Sequence, residues 1–333
     1  MWSEQPLESL LKKRLGEITE PSKTTLWADY ATARRFVTEE IVGLIPSAEP
    51  DLTDHSENHL ADVMNKANAL FGEATSYFTP YELYMLNISI LFHDVGNLHG
   101  RKAHQKNISG IYDACRKREP RFGTERTAIL SIAGAHTGSA KDGTKDTLRD
   151  VDRLSLLGHS IRGQEIAAVL RFSDELAEGP HRTSAYLQNH KMYSPDSRIF
   201  HKYSSISDYC IEPGLGRIAV TYNIDLEPGK TALEAGDGIL LEQLLRFTYM
   251  RVSKIDQERR YCKYYCNLLA AFKETGACFN FYHDGQNLDL DIPPIVISDL
   301  LVPGEYTKSI EQIDSRYAIS DLVKMLEKVC GKV

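Results

Sequence analysis

The residues best able to do chemistry in this chain are histidines and carboxylates set into stretches that otherwise look buried. His93 and Asp94 end the apolar run of ILFHDVGNLHG, His59 opens HLADV, and His104 lies in RKAHQKNISGIY. His136 follows in ILSIAGAHTG and Asp174 in IAAVLRFSDELAEG. A buried imidazole or carboxylate is costly unless paired, and metal coordination is one of the few arrangements that satisfies several together. Successive helical residues project about 100° apart. His93 and Asp94 therefore reach one ion only over the edge they share, at the mouth of a helical bundle. Imidazole and carboxylate together suit Mn, Fe, Co, Ni or Zn, and oxygen-rich variants admit Mg.

The elements that must position these residues read as helices. LESLLKKRL and a segment over about 26–44 are helical, and DLTDHSENHLADVMNKANALF offers Thr53 or Asp54 as N-cap with Glu57 placed for a capping box. Pro80 opens PYELYMLNISILFHDVG, apolar on most sides, and further helices are expected over 105–118, 124–135 and 163–177. Between the last two, TGSAKDGTKDTLRD reads as loop. After about residue 190 the pattern changes. In GRIAVTYNIDL, Ile218, Val220, Tyr222, Ile224 and Leu226 alternate with more polar residues, the period of a half-buried strand. SISDYCIEPGLG is its expected hairpin partner. A long helix over about 238–273, strands in ACFNFYHDG and PPIVISDLL, and a last helix over about 315–329 complete the reading. The expected fold is mainly α: a helical bundle over 1–190, then a smaller α+β accessory domain over 191–333.

Taken as a set, HLADV, LFHDVGN and VLRFSDEL resemble the HD superfamily of metal-dependent phosphohydrolases over roughly residues 50–180. The resemblance implies a helical HD domain in which His59, His93, Asp94 and Asp174 ligate a divalent ion. It further implies that His104 and His136 complete a second site bridged by Asp94. The HD-GYP branch is excluded, because AHTGSAKDG lacks its double histidine and Gly-Tyr-Pro, and Asn97 stands where that branch has lysine. The implied reaction is hydrolysis of a nucleotide or related phosphoester by metal-bound hydroxide, water bound to such an ion having a pKa near ~7. His93 and Asp94 are the catalytic candidates, joined by Arg101 and Lys102, which also stand, with Arg171, Arg182 and His159, as substrate-binding candidates. A deoxynucleotide triphosphohydrolase is the second reading and an HD nuclease the third. From another class comes a retired HD domain that senses a nucleotide and signals through residues 191–333.

Other features read more plainly. Net charge −7 gives no global attraction to nucleic acid, so the expected partner is a small phosphoester or nucleotide. The accessory domain is expected to serve as lid, partner dock or homo-oligomer contact. Six cysteines without a framework spacing, with no visible signal peptide or membrane span, fit the cytoplasm. His55, one turn before His59, could face the site but reads better as an exposed first-turn residue, and His99 as a surface or substrate-side one. Cys262 and Cys266 fall on the apolar stripe of the long helix and read as buried thiols. His283-Asp284 before a glycine reads as a turn, RKREPR as a solvated face, and EPGLGRI as a hairpin turn rather than a phosphate loop.

Overall fold

A computed structural model describes residues 2–19, 23–226, 233–235, 238–300, 302 and 304–330. The chain divides into two compact units: residues 1–177 with 261–271, and residues 178–260 with 272–333. The expected mainly α architecture, a helical HD-type region followed by a smaller α+β region, is what the fold shows. The first unit is not contiguous in sequence, however, and its boundary falls at Ala177, with a short later segment returning to it.

In chain order the first unit has α1 (Pro6–Gly16), α2 (Lys23–Phe36), α3 (Ile45–Ala48), α4 (Glu57–Phe71), α5 (Pro80–Phe92), α6 (Ile108–Cys115), α7 (Gly123–Gly134), a small hairpin of β1 (Leu154–Leu156) and β2 (His159–Ile161), and α8 (Gly163–Leu176). Helix α5 is the axis of the unit. Thr79 and Glu82 cap it reciprocally, Pro80 starts it, and every residue from Tyr81 to Phe92 is buried. A helix apolar on all faces must be surrounded, and α1, α2, α4, α7 and α8 all pack on it. It stops at Phe92, earlier than the apolar run suggests. His93 is its C-cap, and Asp94 leaves helical geometry at φ −111° and ψ 0°.

A buried cluster binds α5, α6 and α7 together. The Arg116 guanidinium donates to the Glu125 carboxylate at 2.7 and 3.0 Å, and the Tyr84 and Tyr112 hydroxyls donate to the same carboxylate at 2.5 and 2.7 Å. The run RKREPR is therefore only partly a solvated face. Arg116 is buried, and the guanidiniums of Arg116 and Arg121 both lie over the Phe122 ring, at 4.2 and 3.9 Å.

The second unit contains α9 (Ala185–Asn189), α10 (Arg198–Ile206), β3 (Ser207–Glu212), β4 (Arg217–Leu226), most of α11 (Leu241–Tyr265), β5 (Glu274–His283), β6 (Gln286–Asn287), β7 (Ile295–Ser298), α12 (Ile310–Ile313) and α13 (Ile319–Cys330). Strands β3 and β4 form the expected antiparallel hairpin, from Ser207 opposite Tyr222 to Glu212 opposite Arg217. β5 runs parallel to β4, and β6 and β7 pair antiparallel with β5. Ile218, Val220, Tyr222, Ile224 and Leu226 are all buried, as their alternation predicts. His283-Asp284 proves to be a turn: Asp284 and Gly285, with φ 50° and 73°, join β5 to β6 in the manner of an Asp-Gly hairpin.

Candidate metal centre

Every expected donor lies at or just beyond a helix end, on one end of the bundle. His59 is in the first turn of α4, His93 and Asp94 follow α5, His136 lies two residues past α7, and Asp174 is in the last turn of α8. His104 begins a 3₁₀ turn over His104–Lys106. Two groups have their donor atoms close enough to share an ion: His59, His93, Asp94 and Asp174, and then Asp94, His104 and His136.

Asp94 belongs to both, and its two oxygens divide the work. Oδ2 lies 3.3 Å from His93 Nε2 and 3.6 Å from His59 Nε2, while Oδ1 lies 3.1 Å from His104 Nε2 and 3.4 Å from His136 Nε2. Asp174 Oδ1 closes the first group at 3.2 Å from His59 and 3.5 Å from His93. Neighbouring rings stand 5.1–5.5 Å apart from His59 through His93 and His136 to His104.

The hydrogen bonding of the rings shows what these donors fit. Nδ1 of His93, His104 and His136 faces the carbonyls of Ile90, Arg101 and Ala133 at 2.8, 3.0 and 2.5 Å. Each Nδ1 therefore carries the hydrogen, and each Nε2 turns a lone pair to the centre, the usual wiring of a metal-ligating imidazole. His104 Nε2 and His136 Nε2 face one another at 3.2 Å, a contact that requires a cation or proton between them. Nε2 of His59 and of His93 is buried without any hydrogen bond of good geometry, although both lie near carboxylates. Orphaned nitrogens, paired lone pairs and a shared carboxylate fit divalent cations.

The electrostatics agree. Burial works to raise the Asp94 carboxyl, but the charge of a protonated His93 and the His104, His136 and His59 rings that face it hold it well below its usual range. Asp174 is likewise held low, its burial overcome by His59 and His93. Burial works to lower His93 and His104, and the facing Asp94 pushes both up instead, His93 strongly.

The remaining candidates fall elsewhere. Arg101 and Lys102 are exposed in the turn that leads to His104. The Arg101 backbone N–H donates to Glu49 at 2.9 Å, and its carbonyl holds His104. His159 is not at the centre. It stacks on Tyr81 at 3.9 Å, and Tyr81 is separated from His93 by almost the whole of α5, about 18 Å at 1.5 Å per residue. Arg171 has a structural part instead of an exposed one. It donates to Thr147 Oγ1 at 2.9 Å, lies over the Tyr261 ring at 4.8 Å, and Thr147 in turn donates to the Ala135 carbonyl, next to His136, at 2.5 Å. Arg182 belongs to the second unit, buried and 3.9 Å from Glu178. His99 is exposed, and Cys262 and Cys266 are buried thiols.

One residue at the centre is set aside by the sequence reading in favour of an exposed position. His55 Nε2 lies 3.5 Å from Asp94 Oδ2. Its signal is the i, i+4 spacing to His59, discounted because the helix is expected to start at Thr53 or Asp54. The N-cap is Ser56, whose hydroxyl accepts from the Asn58 N–H, so His55 lies outside the helix and folds back.

No curated protein and no solved structure matches the chain. A family model described as HD-CE matches residues 49–232, more than half of the chain and a span that holds all six expected donors. The His–Asp doublet after α5, the histidine of α4 and the aspartate of α8 thus meet within one matched HD-type region, and the chain belongs to the HD-CE family.

Proposed function

We propose that the protein is a metal-dependent phosphohydrolase that hydrolyses a nucleotide or related phosphoester. The observation that carries this reading is Asp94, one carboxylate with each oxygen turned to its own set of imidazoles. Bound divalent ions would supply an ionisable water and offset charge on phosphoryl oxygens. The chain's own contribution is positional. Backbone carbonyls fix the tautomers of three imidazoles, and the buried His59 and His93 keep water from the floor of the site. Two carboxylates against two divalent ions leave a local charge of about +2, suited to a phosphate even in an acidic chain. The open rim is the Asp174 and His104 side, their side chains 25% and 13% exposed against 0% for His59 and His93. Arg101 and Lys102, exposed beside His104, are proposed to meet the non-reacting phosphate oxygens.

The test is hydrolysis of a panel of nucleotides and cyclic nucleotides with Mn, Co, Ni and Mg, read by chromatography of the nucleoside and nucleotide products together with released phosphate. Turnover with at least one pair is expected, falling by about 10³-fold or more in Asp94→Ala. Double substitution of Arg101 and Lys102 by alanine should raise KM by about tenfold with less effect on kcat. Triphosphate release from deoxynucleoside triphosphates would identify the substrate class as that of a triphosphohydrolase. Tight nucleotide binding with no turnover under any metal would sink the enzyme reading in favour of a sensor.

A further inference from the structure

Outside the two donor groups stands one more imidazole with the same wiring. His55 precedes the cap of α4 in a turn that is tied down locally: the Asp54 carboxylate accepts from the Ser56 N–H at 2.9 Å and from its hydroxyl at 2.8 Å. His55 Nδ1 lies 2.5 Å from the Thr53 carbonyl, its Nε2 3.5 Å from Asp94 Oδ2, and its ring centroid 5.3 Å from that of His59. The rings thus continue as one arc from His55 to His104, with Asp94 at its focus.

Two roles compete for this ring. As a simple hydrogen-bond partner of Asp94 it is poorly placed. Nδ1 has committed its hydrogen to Thr53, so a neutral ring turns a lone pair to a carboxylate oxygen, and 3.5 Å lies beyond normal hydrogen-bond length. A carboxylate offers about four lone-pair sites, and four other imidazoles already approach Asp94. A cation beside Oδ2 turns both facts to advantage, because it accepts the Nε2 lone pair and shares the oxygen. Resting on the reading of the cluster as a metal centre, we infer that His55 is a further nitrogen donor to it, acting through Nε2 on the Oδ2 side of Asp94. The donor set then becomes five imidazoles and two carboxylates, a nitrogen-rich composition that favours transition ions over magnesium.

The experiment is cobalt(II) titration of the full chain, stripped of metal, followed by visible absorption and by metal content after dialysis. Wild type, His55→Ala, His55→Gln and His59→Ala are compared, and unfolding of each metal-free variant is recorded. Both His55 variants should bind cobalt about 10–100-fold more weakly, with an altered spectrum and unchanged metal-free unfolding. Gln keeps hydrogen-bonding capacity without the ring nitrogen, so wild-type binding by His55→Gln overturns the inference, as does wild-type binding and spectrum in His55→Ala. Should His55→Ala fail to fold, the Gln variant decides alone. Wild type that binds no cobalt overturns the metal-centre reading itself. Binding that His59→Ala destroys and His55→Gln leaves intact overturns only the role of His55.

Discussion

Protons and metal ions compete for the same nitrogens at this centre, which gives the residue scale a pH signature. In the metal-free protein, Asp94 pushes the buried His93 up strongly and His104 in the same direction, from an ordinary value of 6.5. Their stabilisation is complete below that value and fades as pH rises through the higher folded values. Asp94 and Asp174 are displaced oppositely, so theirs is present above 3.8 and is lost only as pH falls through lower folded values. A bound cation must displace the histidine protons. The gain in Tm on adding Mn or Co should therefore be larger at pH 8.5 than at pH 6.5. A calorimetric scan at both values checks it, and an equal gain would refute the competition. At this scale much of the site is legible in the sequence. His59, His93, Asp94 and Asp174 stand out because each interrupts an apolar period with a group too polar to be buried alone. His55 does not, because Thr53, Asp54 and Ser56 all qualify as caps and only the fold of the turn selects among them.

Two elements are placed by what one glycine lacks. The turn Val95–His99 and the turn His104–Lys106 pack so closely that a Cβ on Gly96 would lie 2.0 Å from the His104 carbonyl oxygen and 2.8 Å from its carbon. Backbone cannot yield as a flexible side chain can. Gly96→Ala should move His104 away from Asp94 Oδ1 while leaving His59, His93 and Asp174 together, at a cost in stability of about 1–3 kcal/mol. If each donor group holds an ion, metal content should fall from two ions to one per chain, a change that plasma mass spectrometry reads directly. Retention of both would show that the turn adapts. The helices that bracket the centre are foreseen because long apolar runs declare themselves. The hairpin of β1 and β2 is not, nor are α9 and α10, since short elements among polar residues are specified by tertiary contacts instead of periodicity. The long helix also ends earlier than its stripe suggests. Tyr265 closes α11, and a 3₁₀ turn over Asn267–Ala271 continues the buried pattern without the α-helix.

For the molecule as a whole, the segment 261–271 decides what counts as the HD-type unit. Tyr261 and Tyr265 both donate to the Asp146 carboxylate, at 3.0 and 2.7 Å, and the Leu148 N–H donates to the Tyr261 hydroxyl at 2.9 Å. The loop that follows His136 is thereby anchored, and Cys266 and Leu269 are buried within the same unit. A chain ended at residue 190 holds all the metal donors but lacks these contacts. It should be poorly soluble, or melt at least about 10 °C below the full chain, since losing two or three buried side chains removes several kcal/mol. A 1–190 fragment with full-length Tm and cobalt affinity would contradict this. Composition and period could not reveal the return of the segment, because YCKYYC looks like any other turn of an amphipathic helix. Among the described residues no helix is long and apolar enough to cross a membrane.

That same return has a consequence during synthesis. All the donor residues have been translated once residue 177 is made, yet the segment that completes their unit is not translated until residue 271. At ~5–20 residues per second the nascent imidazoles wait roughly 5–20 s in an unfinished fold. Whichever ion is most available in that interval would have the first opportunity to settle there, so metal supply during synthesis, and not the donor set alone, would bear on which ion such a centre takes up.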